Sequence, residues 1–448
     1  MLQFFDFMDE DRVLSTPEEL LSYSSDASRH RSLPNLVLMP YSKEEVSRIV
    51  KIANRERIPL VPRGAGTSLS GGSVPVDGGI VLDLTLMDSI IKVDLENQLV
   101  TLEPGVVYGR LNRELEKYGV FFPPDPGSGS VCTIGGMVAT NSSGLRAVKY
   151  GTTRDYVKKL EVVLADGEII RCGTKAVKSS SGYDLPGIFV GSEGTLGIFT
   201  EITLRVIKKP TNYATSMVGF SDGFKAGKAV REIMYSGLQP AVLEIMDKNT
   251  LQAVEKYTGL NFPDVEVLLI VELDGFDEKV TLYLREAIEI CQKYNANIVE
   301  EAISNADRES IWKARKSALP ALARYKPTLI LEDVTVPISF LPSLFKELEV
   351  LGKKHGVEIA TFGHAGDGNL HPTFLVDRNK REEVERAEKA IGELFHKVIK
   401  MGGTLSGEHG IGLEKKRYIS IEHNSISLMK QIKKSLDPNG ILNPGKIF

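Results

Sequence analysis

The chain has 448 residues, 42% of them hydrophobic and 25% charged, with a net charge of −4. Those are the proportions of an ordinary globular protein, too long for a single core, so two or three domains are expected. Mixed charge without an Arg/Lys block excludes a nucleic-acid surface, and no apolar run approaches the ~20 residues of a membrane span.

The acidic stretch Met1–Glu10 lacks the basic flank of a signal peptide. Cys132, Cys172 and Cys291 are widely spaced with no CxxC, which fits a reducing cytoplasm and excludes an iron–sulfur cluster held by this chain alone. A cytoplasmic location is expected.

In chain order, Ser42-Lys43-Glu44-Glu45 reads as a capping box opening a helix, with Val46, Ile49, Val50 and Ala53 on its buried face. A short strand, Ile58–Val61, leads into Arg63-Gly64-Ala65-Gly66-Thr67-Ser68. Strands are predicted over Gly79–Leu84 and Leu99–Gly105, and a helix over Val107–Lys117. Phe122–Gly144 is a second loop-rich stretch, and Phe189–Ile198 a third, running into a strand at Ile202–Val206. Lys208-Lys209-Pro210 marks a domain boundary. Beyond it come a strongly apolar strand, Val265–Leu273, and helices over Lys279–Tyr294 and Arg381–Met401.

The first loop follows a strand, as a phosphate cradle does: glycines let backbone N–H groups converge on an anion, and Thr67 and Ser68 add donors. It is neither a Rossmann fingerprint nor a P-loop, because the third glycine and the Gly-Lys-Ser/Thr are absent. Three such loops in one half of the chain suit a long dinucleotide better than isolated turns.

Near the C-terminal end, Phe362-Gly363-His364-Ala365-Gly366-Asp367-Gly368-Asn369-Leu370-His371 reads as strand, turn, strand. That fold makes His364 and His371 cross-strand neighbours, Cβ atoms roughly 5 Å apart. Glu408, in Ser406-Gly407-Glu408-His409-Gly410, completes an open three-ligand site for a divalent ion. Zn²⁺ is the first choice, and Mn²⁺ and Fe²⁺ suit the same ligands. His409 stays beside it as a base.

Taken together, Pro-Arg-Gly-x-Gly-Thr-Ser at 62–68, Pro-Pro-Asp-Pro-Gly-Ser at 123–128, Thr-Ile-Gly-Gly-Met at 133–137, Gly-Tyr-Asp-Leu at 182–185, Val-Gly-Ser-Glu-Gly-Thr-Leu-Gly-Ile at 190–198, the two histidine segments, and Asn443-Pro444-Gly445-Lys446 resemble the FAD-linked D-2-hydroxyacid dehydrogenases. The resemblance spans essentially the whole chain.

It implies an α+β protein of the vanillyl-alcohol-oxidase flavoprotein fold. Residues 1–209 would form a two-subdomain FAD-binding domain and 210–405 a cap domain on an antiparallel sheet. Residues 406–448 would return to the flavin. Arg63, Gly64, Ala65, Gly66, Thr67 and Ser68 would hold the pyrophosphate. Pro123, Asp125, Gly127, Ser128, Thr133, Gly135, Gly136, Asn141, Ser142, Gly144, Glu193, Gly197 and Ile198 would line the rest, with Asn443 near the ring. No flavin-linking histidine stands in the first loop, so FAD is expected to be non-covalent.

The expected reaction is oxidation of a D-2-hydroxy acid to its 2-oxo acid, with His409 as base and Arg315, in Trp312-Lys313-Ala314-Arg315, clamping the substrate carboxylate. Thr328-Leu329-Ile330-Leu331-Glu332 carries no cation for a second carboxylate. D-lactate or glycolate is therefore favoured over D-2-hydroxyglutarate. The electrons need a separate acceptor: an iron–sulfur subunit, an electron-transfer flavoprotein, a cytochrome or a quinone. Competing readings are an oxidase using O₂ directly and a flavin-binding scaffold subunit. A homodimer is one arrangement the sequence leaves open.

Overall fold

The computed structural model describes residue 4 and residues 6–448. It separates into two compact units: Met1–Ser143, Gly151–Lys209 and Glu408–Phe448 form the first, Gly144–Tyr150 and Pro210–Gly407 the second.

The first unit contains two larger sheets. In one, Leu36–Leu38 and Leu60–Arg63 flank Ile80–Asp83 in parallel, and Val13–Leu14 adds an antiparallel edge. Helix Lys43–Glu56 packs Val46, Ile49, Val50 and Ala53 into the core beside Leu38, Leu60 and Leu82. Its N-cap Ser42 accepts the Glu45 N–H, but the box is not reciprocal. The Glu45 carboxylate instead accepts the Tyr41 N–H and pairs with Arg12, a stronger, charge-assisted partner.

The other sheet is antiparallel, in the order Ile90–Asp94, Leu99–Leu102, Ile198–Arg205, Val157–Val163, Ile169–Gly173. The closing residues join the first sheet, where the Leu60 N–H donates to Ile441 O and the Asn443 N–H to Leu60 O, both at 2.7 Å. Within the second loop-rich stretch the chain forms a helix, Ile134–Thr140, N-capped by Thr133. Gly135 is required there, since a Cβ would fall 2.6 Å from Pro104 Cβ.

The second unit is built on one antiparallel sheet. Its order is Ile298–Glu301, Asn212–Phe220, Val267–Gly275, Val242–Asp247, Glu358–His364, Asn369–Val376 and Thr328–Leu331, with Val334–Thr335 also pairing Asn369–Val376. Val267–Gly275 is buried at every residue but its last, which is why it reads as a continuous apolar run rather than an alternating one. Met246, Leu268, Ile270, Ala360 and Phe362 share one core with helices Lys248–Thr258, Asn305–Lys316 and Ala318–Tyr325.

The short piece Gly144–Tyr150 is drawn into this unit by Asp274. That buried carboxylate accepts the Tyr150 hydroxyl at 2.7 Å and pairs with Lys149 and Arg146. Removing Asp274 would take the carboxylate from Lys149 and the Tyr150 hydroxyl, a loss of several kcal/mol in a partly buried network.

The candidate flavin and metal sites

In the first unit the three sequence loops and the C-terminal segment meet. Gly64 lies so close to Thr133 that a Cβ would sit 2.2 Å from its Oγ1. Gly66, at φ 66°, is similarly covered by the Arg63 guanidinium, which donates to Ser25 O. The second loop meets the third where the Glu193 N–H donates to Ala139 O at 2.8 Å.

Glu193 then ties in the C-terminal segment. Its buried carboxylate accepts the Ile411 and Gly412 N–H groups, both at 2.8 Å. Burial pushes this carboxyl above the usual range, and the two amides oppose that shift. Asn443 closes the circuit: its Nδ2 donates to Glu193 O at 2.7 Å and to Gly72 O at 2.8 Å. Ser70 donates to His409 O, and Ser143 to Glu408 Oε2 at 3.0 Å. Most of these bonds use backbone atoms, so they fix the loop paths.

The expected flavin residues are not equivalent. Asn141, at φ 53°, ends the helix Ile134–Thr140, and its Oδ1 accepts the Arg154 N–H. Ser142 bonds Thr140 and Thr153. Ser128 O accepts the Val131 and Cys132 N–H groups, turning the segment that starts at Pro123. Gly127 has open space where a side chain would be. Ile198 points into the core, with Gly197 packed against Val162. Gly144 is counted with the second unit.

Two observations fit a bound dinucleotide. Gly64 and Gly66 let Thr133 Oγ1 and the Arg63 guanidinium, both donors suited to phosphate, lie against the first loop where a Cβ would collide with them. The buried Ser192 Oγ has no hydrogen-bond partner among the described residues. Lys446, which stands outside the expected flavin residues, is buried, and its Nζ donates to Val74 O and Asn443 Oδ1. Burial pushes its pKa down to about 8. The signal was its place in the closing Asn-Pro-Gly-Lys.

In the second unit, strands Glu358–His364 and Asn369–Val376 form the expected hairpin with a shifted register. His364 pairs with Asn369 and His371 with Phe362, so the two histidines are diagonal, not directly opposed. The turn takes four residues, Ala365–Gly368, with Gly368 at φ 80°. Alternation still brings both imidazoles to one face, where their rings stand at 88° and the two Nε2 atoms are 3.4 Å apart.

Both rings are backed by buried carboxylates on the Nδ1 side. His364 Nδ1 lies 2.5 Å from Glu244 Oε1, and His371 Nδ1 lies 3.7 Å from Asp333 Oδ1. Asp333 is itself held by Asn369 Nδ2 and Ser406 Oγ, each at 2.7 Å. A carboxylate only accepts, so His364 carries its proton on Nδ1 and presents a lone pair at Nε2. Two nitrogens of a tetrahedral Zn²⁺ site, each ~2.0–2.1 Å from the ion, stand about 3.3–3.4 Å apart. The observed separation fits that pair of ligands.

Glu408 and His409 follow Gly407, whose N–H donates to Asp333 O at 3.2 Å. His409 Nε2 is 3.7 Å from Glu408 Oε1. Arg315, in the last turn of Asn305–Lys316, is buried over the Phe362 ring, and its Nε donates to Glu244 Oε2 at 2.5 Å. Its two Nη groups make no hydrogen bond among the described residues.

The architecture is that of the vanillyl-alcohol-oxidase flavoproteins. p-Cresol methylhydroxylase with substrate bound aligns at TM-score 0.80 and 20% identity, over 100% of this chain and 95% of that one. An alkyldihydroxyacetonephosphate synthase aligns at 0.77 and 21%, over 99% and 84%.

Residues 209–447 match the C-terminal domain of FAD linked oxidases, and residues 34–173 match an FAD binding domain. The chain belongs to the FAD-linked oxidase family and is an FAD-dependent oxidoreductase of the class acting on CH–OH donors. It is 44% identical to a glycolate oxidase subunit GlcD of Bacillus subtilis, over 96% of this chain and 92% of that one. It is 36% identical to a D-lactate dehydrogenase of Anaerostipes hadrus, over 100% and 97%. A D-2-hydroxyglutarate dehydrogenase of Stutzerimonas stutzeri matches at 30%, over 98% and 96%. No helix among the described residues is long and apolar enough to cross a membrane.

Proposed function

We propose that this protein oxidises a short D-2-hydroxy acid, D-lactate or glycolate, to the 2-oxo acid and passes the electrons to a separate acceptor. The observation that carries this reading is the pair of buried imidazoles with Nε2 atoms 3.4 Å apart, each with a carboxylate on its Nδ1 side. The names of the whole-length relatives point the same way.

In this reading His364, His371 and Glu408 hold a divalent ion, Zn²⁺ by preference, which supplies Lewis acidity toward the substrate oxygens. FAD, held non-covalently, supplies the two-electron acceptor for the C2 hydride. The chain's own residues do the rest. His409 takes the hydroxyl proton on its imidazole, while its carbonyl is pinned by Ser70 at 2.9 Å. The two Nη groups of Arg315 meet the substrate carboxylate as a fork.

Strand Thr328–Leu331 and the buried Glu332 after it offer no cation to a second substrate carboxylate, which disfavours D-2-hydroxyglutarate. The first loop holds Thr67 and Ser68 where a linking histidine would be needed, which supports non-covalent FAD. The subunit name of the Bacillus relative supports an acceptor on another chain, and the free, buried Cys132, Cys172 and Cys291 suit a reducing cytoplasm.

The test is anaerobic titration of the purified yellow protein. D-lactate or glycolate should bleach the flavin bands, L-lactate should not, and acid precipitation should leave the colour in solution. A flavin that none of these 2-hydroxy acids reduces would overturn the reading. Fast reoxidation by air alone would favour an oxidase.

A further inference from the structure

We propose that Glu244 is the positioning residue for the metal-binding imidazole, and that one carboxylate thereby sets both His364 and Arg315. The inference rests on the metal reading above and extends it to a residue that no motif marks.

Glu244 lies in the middle of Val242–Asp247, directly opposite His364 in the strand pairing, and its side chain is fully buried. A carboxylate flanked by Val242, Leu243, Ile245 and Met246 is costly unless both oxygens are matched. They are: Oε1 meets His364 Nδ1 and Oε2 meets Arg315 Nε, each at 2.5 Å.

The consequence for His364 is a fixed tautomer. With Nδ1–H committed to Glu244, the lone pair is on Nε2, the nitrogen that faces His371. The consequence for Arg315 is a fixed plane. Nε is committed to Glu244 and the guanidinium lies 4.9 Å from the Phe362 ring centroid, so its Nη groups keep one direction. Phe362 itself pairs with His371 across the hairpin, so the same sheet face seats all these groups.

Glu244→Gln separates this role from general support. An amide has one acceptor oxygen. With Arg315 claiming it, the amide NH₂ faces His364 Nδ1 and drives the imidazole proton to Nε2. Zn²⁺ affinity, measured by chelator competition, should fall by ~10–100-fold, the usual cost of losing such a partner. Flavin content should hold, and the visible bands of the Co²⁺-substituted protein should change.

Glu244→Gln with Arg315→Met should recover much of that affinity, because the amide oxygen is then released to His364. Glu244→Met with Arg315→Met replaces the buried pair by apolar volume, which folds tolerate. It should stay weak in metal, because no acceptor remains; this variant decides the matter if Glu244→Gln alone does not fold. Metal affinity and Co²⁺ bands like the parent's in Glu244→Gln, or in the Met/Met variant, would overturn the role of Glu244. A parent protein that takes up neither Zn²⁺ nor Co²⁺ would instead overturn the metal reading, and this inference with it.

Discussion

The sites proposed in the two units draw on different parts of the polypeptide. In the first, loops meet through main-chain groups, small residues and a few buried polar anchors, Glu193 and Asn443 among them. In the second, charged side chains on rigid strands meet each other: Glu244, Asp333, His364 and His371. A long anionic cofactor needs many weak contacts along its length, and backbone N–H groups deliver them at close approach. A small cation needs a few strong donors at fixed spacing, which only well-packed side chains keep. Damage to the strand-borne histidines should therefore spare the loops.

The largest effect is expected from His371→Ala. Metal content should drop, and flavin reduction by substrate should slow by roughly 10³-fold or more, since Lewis-acid polarisation supplies several kcal/mol. Flavin absorbance should persist; normal reduction rates would dissolve the contrast. His409→Asn should slow flavin reduction by ~10²–10⁴-fold, with metal and FAD both retained. Loss of metal in that variant would mean that His409 is no independent base.

Glu193→Ala tests the other side. Two loop amides lose their acceptor, at ~1–3 kcal/mol each. FAD should dissociate roughly 10–100-fold more readily, read by fluorescence on dilution.

Lys446→Met should give the smallest effect, and it is visible in pH. Burial pushes the pKa of Lys446 down to about 8 in the folded chain, from an ordinary 10.5. Between those values the unfolded chain binds the extra proton, so this group's contribution to stability rises with pH through that window. Its ceiling is ~3 kcal/mol. The variant should lose that rise in urea midpoints measured from pH 7 to 10. Parallel curves would show that the lysine is not buried as a cation.

Sequence reading reached the two systems unequally, for physical reasons. Gly64, Gly66 and Thr133 were visible because only small residues allow loops to approach this closely. The helix Ile134–Thr140 was not, since Gly135-Gly136 reads as a loop; its cue was Thr133, a cap ahead of Ile, Met and Val. The hairpin was legible, but its register was not, because register follows from the number of turn residues and sequence pattern leaves that open. Glu244 left only one trace, a charge inside an apolar run. Its meaning depends on which strand lies alongside, and that strand comes from more than a hundred residues away.

The excursion of Gly144–Tyr150 into the second unit and the late return of Glu408–Phe448 to the first bear on how the chain is made. A ribosome emitting this protein releases the Glu193 carboxylate long before Ile411 and Gly412, the amides it holds, and Leu60 long before Ile441. Neither unit is a contiguous stretch that could mature alone during synthesis. The loops that Glu193 gathers are complete only once Ile411 and Gly412 have emerged, so flavin loading waits for that segment, and a truncation ahead of Glu408 would yield colourless protein rather than a smaller working enzyme.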